Sequence, residues 1–376
     1  MSHRTTLKLM LVGDLILDEP EPDTFFEPAH ATLQDADILV GHVEVPHTLR
    51  GSENTFDIPA PPSNPDNLAA LKRAGFHIAT LAGNHMFDAG PAGIEDTIAN
   101  LRKLDVATTG AGLNLTEARK PAIVERQGTI VGTLSFNCVG PKESWADEKK
   151  AGCAYVHVIT HYELDHATPG GPPRIYTFAE PDSTDAMLAD IEKLRPDVDI
   201  LVVALHKGIG HTPAVLAMYE RPLAKAAIDA GADIVVGHHA HILRGIEMYK
   251  GRPIYHGLGN FVTVTRALTG EANPNPKRLD WTRRRRELFG FEPDPNYPTY
   301  PFHPEARNAM IAVCEVTNKG IHKAGFIPCW VNSRGQPEVC GNDKRGRAVV
   351  SYVEQITGKA SLRTGFEWDE GYVRCL

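Results

Sequence analysis

The sequence predicts an α/β layered fold, and three features carry that prediction. Short apolar runs rich in Ile and Val recur along the chain, segments of helical period lie between several of them, and turn dipeptides join other runs into hairpins. A chain of 376 residues with 42% hydrophobic content can bury a large core, which excludes disorder as its main state.

The buried strands read, in order, "KLMLVGD" (8–14), "ADILVGHVE" (36–44), "FHIATLAGNH" (76–85), "VDILVVALHKG" (198–208) and "ADIVVGHHAH" (232–241). Helical period appears at Leu68 and Leu71 after the Asn64-Pro65 start. It returns at Ile94, Ile98, Leu101 and Leu104 after Pro91, and at Leu188, Ile191 and Leu194 after Asp182. Hairpins are expected to turn at Gln127-Gly128, at Lys250-Gly251 and around Asn318 to Gly320. The stretch 267–305, rich in Pro, Arg and aromatics, reads as an inserted loop or lid, and 140–175 as a second, irregular insertion. With no repeat and no low-complexity linker, one elaborated domain over 1–376 is expected. Its parts are a core at 7–266, the insertion at 267–305, a terminal hairpin at 306–335 and an extension at 336–376.

A net charge of −8 offers no general basic field for nucleic acid or anionic lipid. The one basic run, Arg283 to Arg286, is a local patch, solvated or facing substrate. The N-terminal apolar run is short for a signal peptide and meets Asp14, nothing approaches a membrane span, and six scattered cysteines form no C-x-x-C. A cytoplasmic, reduced protein without membrane or nucleic-acid partners is the expectation, with a homo-oligomer left open.

Five strand ends carry ligand-type groups: Asp14, Glu44, Asn84 with His85, His206, and His239 with His241. Taken singly, each is ordinarily a turn former, a cap or a hydrogen-bonded core residue. Their recurrence at every strand end is what points to a site, because the carboxyl ends of strands in an open α/β sheet present side chains to one crevice. Carboxylate, amide oxygen and imidazole without thiolate suit one or two divalent ions such as Mn, Zn or Fe. In an H-x-H leaving an extended strand, His239 and His241 point to one side and His238 to the other. His42, His47, His77, His161, His166 and His303 have no such pattern behind them.

The ordered blocks "GD" (13–14), "VEVPHT" (43–48), "GNHMFDAGPAGIEDTIANL" (83–101), "LHKG" (205–208) and "GHHAHILRGIEMYKGRPIYHGLGNF" (237–261) resemble those of the CapA family. That family takes its name from poly-gamma-glutamate capsule synthesis and is related to the calcineurin-like metallophosphoesterases. The resemblance covers most of 7–265 and implies a four-layer α/β/β/α metallophosphoesterase-like sandwich with inserted loops. It implies that Asp14 and His241 bind one metal, that Glu44 bridges to a second, and that Asn84, His206 and His239 complete the second site. His85 would be the general acid that protonates a leaving oxygen or the electrophilic group that stabilises its charge, oriented by Asp88. Asn260 would lie near the cluster as a supporting residue, with a glycine-rich turn as the alternative reading of 256–261.

Three departures stand out against the resemblance. Ile16 occupies the position of a usual first-site histidine, and His42 stands where relatives tend to have Asn, either restoring a nitrogen ligand or altering substrate contacts. Lys207 and His211 make one wall more cationic, which suits an anionic substrate, and His238 either supports the ligands or faces substrate. Hydrolysis of an anionic ester or amide, small or peptide-like, is the first functional expectation. Metal-assisted proton transfer next to a carboxylate or amide, as in an epimerase, isomerase or lyase, is the second. Poly-gamma-glutamate handling without catalysis is the third. In the 281–305 insertion, Arg283 to Arg286 could bind a carboxylate or phosphate while Trp281, Tyr297 and Tyr300 pack an apolar part of the substrate; a solvated helix or dimer contact is the plainer reading.

Overall fold

A computed structural model of the chain describes residues 6–51, 58, 60–164, 172–267, 284 and 287–376. Two sheets stack face to face. The first runs Phe366–Asp369, Tyr372–Cys375, Gly320–Val331, Asn308–Thr317, Leu7–Leu17, Ile38–Val43, Ile78–Thr80, Ala107–Thr109, with Asn260–Val264 beside the first strand and Pro337–Val339 beside Gly320–Val331. The second runs Ile246–Tyr249, Arg252–Tyr255, Ile234–His239, Ile200–Lys207, Thr129–Asn137, Ala122–Arg126.

The period of two in these strands divides the core into layers. Leu7, Leu9, Leu11, Ile38 and Val40 of the first sheet meet Ile200, Val202, Ala204, Ile234 and Val236 of the second in one buried cluster between the sheets. The alternate residues Met10, Val12 and Leu39 face outward, where they join Leu33, Leu71 and Ile94 of the helices His30–Gln34, Ala69–Ala74 and Gly90–Lys103. On the far side, Leu201, Val203, Leu205 and Val235 pack on Met187, Ile191, Leu223 and Ile228 of helices Pro181–Leu194 and Glu220–Asp229. The result is the α/β/β/α sandwich. No helix among the described residues is long and apolar enough to cross a membrane.

The three hairpins turn where the sequence places them. Gln127 and Gly128 have φ of 51° and 76°, and Lys250 and Gly251 have 52° and 73°, the paired positive values that a two-residue turn needs to match strand twist. Elsewhere the structure adds to the sequence reading. The 140–175 stretch is not wholly irregular, since Val158–Glu163 pairs antiparallel with Arg174–Ala179 as a separate ribbon. The 336–376 extension supplies three strands to the first sheet and a helix, Lys344–Lys359, whose Val350, Val353 and Ile356 complete the core between the sheets.

A close backbone crossing fixes the mouth of the sandwich. Asp14 N donates to Gly259 O at 2.9 Å, and a Cβ on Gly13 would lie 1.9 Å from that same oxygen. Any side chain at 13 would force the first strand off the Asn260–Val264 strand and carry Asp14 with it. The pairing register slips at this point, between Leu11 and Asp14 on one side and between Asp14 and Leu15 on the other. The bulge turns Asp14 toward the gap between the sheets.

Candidate metal centre

Asp14, Glu44, Asn84, His206, His239 and His241 converge at this mouth. A carboxylate oxygen of Asp14, a carboxylate oxygen of Glu44 and a ring nitrogen of His241 lie within 4.8 Å of one another, as do groups of Glu44, His206 and His239. Asn84 Oδ1 is 2.8 Å from His206 Nε2, and His241 Nε2 is 3.4 Å from Glu44 Oε1. Asn260 stands behind the ligands, its Oδ1 2.8 Å from His241 Nδ1 and its Nδ2 donating to the Tyr300 hydroxyl at 3.1 Å.

The backbone reaches this arrangement through strained turns. His239 and His241 have φ of 81° and 53°, and His211 has 52°, all in the left-handed region that residues with a Cβ rarely occupy. His239 and His241 therefore converge through a left-handed turn at the strand end rather than through extended alternation. His238, still inside the strand, points into the protein: its Nε2 donates to Val12 O at 3.4 Å and its ring stacks on His42 at 4.7 Å.

The electrostatics ask for a cation. Asp14 and Glu44 are fully buried, and among the described residues their ion-pair partners are histidines alone. Burial, then the Glu44 charge, drive the Asp14 carboxyl well above its ordinary value, against the opposing hydrogen bond from the His239 amide. Burial likewise depresses the imidazoles, His239 to about 3 and His238 to about 4, and His206 well below its usual value, so these rings are neutral. Both Glu44 oxygens, His206 Nδ1 and His239 Nδ1 are buried without a hydrogen-bond partner among the described residues. Two buried carboxylates among neutral rings with bare lone pairs fit a divalent ion, which supplies the charge and the acceptor that the protein withholds.

Asp14 yields a pH prediction. Its raised folded value makes a stabilising contribution that is full below the unfolded value of 3.8 and is lost as pH rises through the folded value. Chelator-treated protein is expected to lose stability relative to metal-loaded protein as pH rises toward neutrality. Urea midpoints of the two forms across that range measure the widening gap, and parallel curves contradict it.

His85 and Asp88 sit at the lip. His85 Nδ1 donates to Asp88 Oδ2 at 2.8 Å, both residues are buried, and His85 lines a cleft with Ile16, Glu44, His211, His241 and Phe302. His211 packs against three aromatic rings of the insertion, Phe289, Phe291 and Phe302, with centroids 5.1, 5.0 and 6.1 Å away. These phenylalanines escape a sequence reading drawn to the arginines and tyrosines nearby. Tyr300 is turned inward to Asn260 and Ala306 O, and Tyr297 lies under the Arg307 guanidinium at 3.8 Å. Trp281, Arg283, Arg285 and Arg286 lie outside the described residues, and Arg284 is exposed. Asp18 and Thr265 also line the cleft, hydrogen-bonded to each other at 2.7 Å, and the sequence reading singled out neither.

Lys207 is not brought to the cluster. It follows His206 on a strand and so faces the opposite side, where Nζ donates to Glu220 Oε2 at 2.7 Å and His256 O at 3.1 Å, fully buried. Its charge is matched by Glu220 and adds nothing to the cleft wall. Lys207→Ala leaves Glu220 buried without its cation and is expected to cost about 3–5 kcal/mol of stability, read by urea denaturation, with metal content unchanged.

Residues 8–265 match the family described as "Bacterial capsule synthesis protein PGA_cap". The chain is 30% identical over 266 residues to the PGA biosynthesis protein CapA of Bacillus subtilis, a match covering 68% of this chain and 63% of that protein. It is 28% identical over 282 residues to the capsule biosynthesis protein CapA of Bacillus anthracis, covering 70% and 61%. A probable polyglutamine synthesis accessory protein of Mycobacterium tuberculosis is 32% identical over 205 residues, covering 53% and 48%. The chain thus spans less than two thirds of the length of each of these relatives. Among solved structures it is similar to the calcineurin-like phosphoesterase YfkN from Bacillus subtilis, at 12% identity and a TM-score of 0.39, covering 95% of this chain and 98% of that one.

Proposed function

This chain belongs to the bacterial capsule synthesis protein PGA_cap family, and from that premise we propose that it is a metal-dependent hydrolase of an anionic ester or amide, with a peptide-like glutamyl polymer as the favoured substrate class. The observation that carries the reading is the burial of Asp14 and Glu44 among imidazole lone pairs with no cationic side chain among the described residues to balance them. The relatives' names, which speak of PGA, capsule and polyglutamine synthesis, support the substrate class.

A divalent ion bound there supplies Lewis acidity toward a substrate oxygen and lowers the pKa of water. Asp14, Glu44 and His241 would hold one such ion, and Glu44, Asn84, His206 and His239 would hold a second where two are bound. Asp88 accepts the Nδ1 hydrogen of His85 and so fixes the ring, leaving Nε2 to hand a proton to the departing oxygen or nitrogen. Ile16 and Phe302 form an apolar wall of the cleft that limits water around the reacting bond.

The test supplies Mn or Zn to purified protein and follows two substrates, a chromogenic phosphoester and a gamma-linked glutamate oligomer. Metal-dependent cleavage of either, lost in His85→Ala, supports hydrolysis. The accessory role in the mycobacterial relative's name favours a second reading, polymer handling without catalysis. Metal-dependent binding of the oligomer with no cleavage of either substrate would replace the first reading by the second.

A further inference from the structure

We propose that His42 is a nitrogen ligand of the cation held by Asp14, an inference that rests on the metal-centre reading and extends it to a residue of the neighbouring strand. Asp14 and His42 are register partners across the parallel pairing of the first two long strands. One Asp14 oxygen, a His42 ring nitrogen and a His206 ring nitrogen lie within 4.8 Å of one another.

The hydrogen bonds around the ring fix which nitrogen is available. His42 Nδ1 is 3.1 Å from Thr80 Oγ1, and that hydroxyl donates its own hydrogen to Gly41 O at 3.4 Å. Nδ1 therefore carries the ring hydrogen and Thr80 accepts it, which leaves a lone pair on Nε2. Nε2 is buried and has no hydrogen-bond partner among the described residues. The ring is clamped between His206 and His238, with centroids 4.6 and 4.7 Å away, so the direction of that lone pair is set before any ion arrives.

The chain keeps the space beside Nε2 bare. A Cβ on Gly83 would lie 3.1 Å from His42 Nε2 and 3.5 Å from His206 Cε1, closing in on both rings. A separate third ion is disfavoured, since three divalent charges would face two carboxylates. His42 instead adds a neutral donor to the ion at Asp14, the position with the fewest imidazoles: of the three grouped sets, that of Asp14 with Glu44 holds His241 alone.

The experiment uses the full chain labelled with 15N-histidine and titrated with Zn, following ring nitrogens by long-range 1H–15N correlation. A metal-bound shift at His42 Nε2, with Nδ1 still protonated, is expected. In parallel, chelator competition is expected to show His42→Ala binding its weakest-held ion at least about 100-fold less tightly, with an altered Co(II) absorption spectrum. Thr80→Val, which removes the orienting acceptor together with that hydroxyl's long bond to Gly41 O, should cost about 10–100-fold in affinity and leave the Co(II) band pattern in place. If His239 shifts on Zn addition and His42 does not, the inference falls while the metal centre stands. If no histidine shifts, the metal centre itself falls and takes the inference with it. The wild-type spectrum decides the matter even if His42→Ala does not fold.

Discussion

His239→Ala is expected to remove metal from the Glu44–His206–His239 group and to lower hydrolysis about 10³-fold. The size follows from the ion's role: about 4 kcal/mol of transition-state stabilisation, within the several kcal/mol a Lewis-acidic metal contributes, corresponds to that factor. The ring is half-buried at a strand end, packs edge-on against His206 at 4.9 Å, and its Nδ1 makes no hydrogen bond among the described residues, so the substitution removes few other polar interactions. Elemental analysis of dialysed variant and wild type, with steady-state rates on the same preparations, measures both quantities. A variant with full metal and full activity removes His239 from the ligand set.

His85→Ala is the second large effect, of a different kind. Its expected loss is about 10²–10⁴-fold in kcat, the range of a positioned general acid, with metal content unchanged. The separation is physical: His85 is held by Asp88 on the loop after the third strand and belongs to none of the grouped ligand sets. Asp88→Asn keeps the ring but weakens its orientation and should fall between wild type and His85→Ala. Loss of metal in His85→Ala would instead make His85 a ligand.

The ends of the second, fourth and fifth apolar runs were legible, since Glu44, His206 and His239 stand at or beside the ends of Ile38–Val43, Ile200–Lys207 and Ile234–His239. The first strand instead continues through a bulge at Asp14 to Leu17, and the third stops at Thr80, four residues before Asn84. The hairpins were legible from two-residue signatures, Gln127-Gly128 and Lys250-Gly251, whose positive φ values the structure displays. Lys207 could have been placed correctly from the rule of alternation that separated His238 from His239, since successive strand residues face opposite sides.

Other features depend on relations that no local pattern records. The nearness of His42 to Asp14 comes from inter-strand register, and its free nitrogen comes from a threonine 38 residues away. The convergence of His239 and His241 needs left-handed backbone at residues whose identity does not announce it. The helix Lys344–Lys359 fills the core between the sheets with Val350, Val353 and Ile356, so its apolar stripe makes sense only once both sheets are present.

If two buried carboxylates and their imidazoles hold a divalent ion, wild-type protein purified without added metal will reveal it in elemental analysis. One or two equivalents of a transition metal are expected, bound as isolated or taken up readily from Mn, Zn or Fe, and lost in both His239→Ala and His241→Ala. Folded wild-type protein that carries no metal and takes up none of the three would contradict it, and would return the histidines at the mouth of the sandwich to acid–base or binding roles alone.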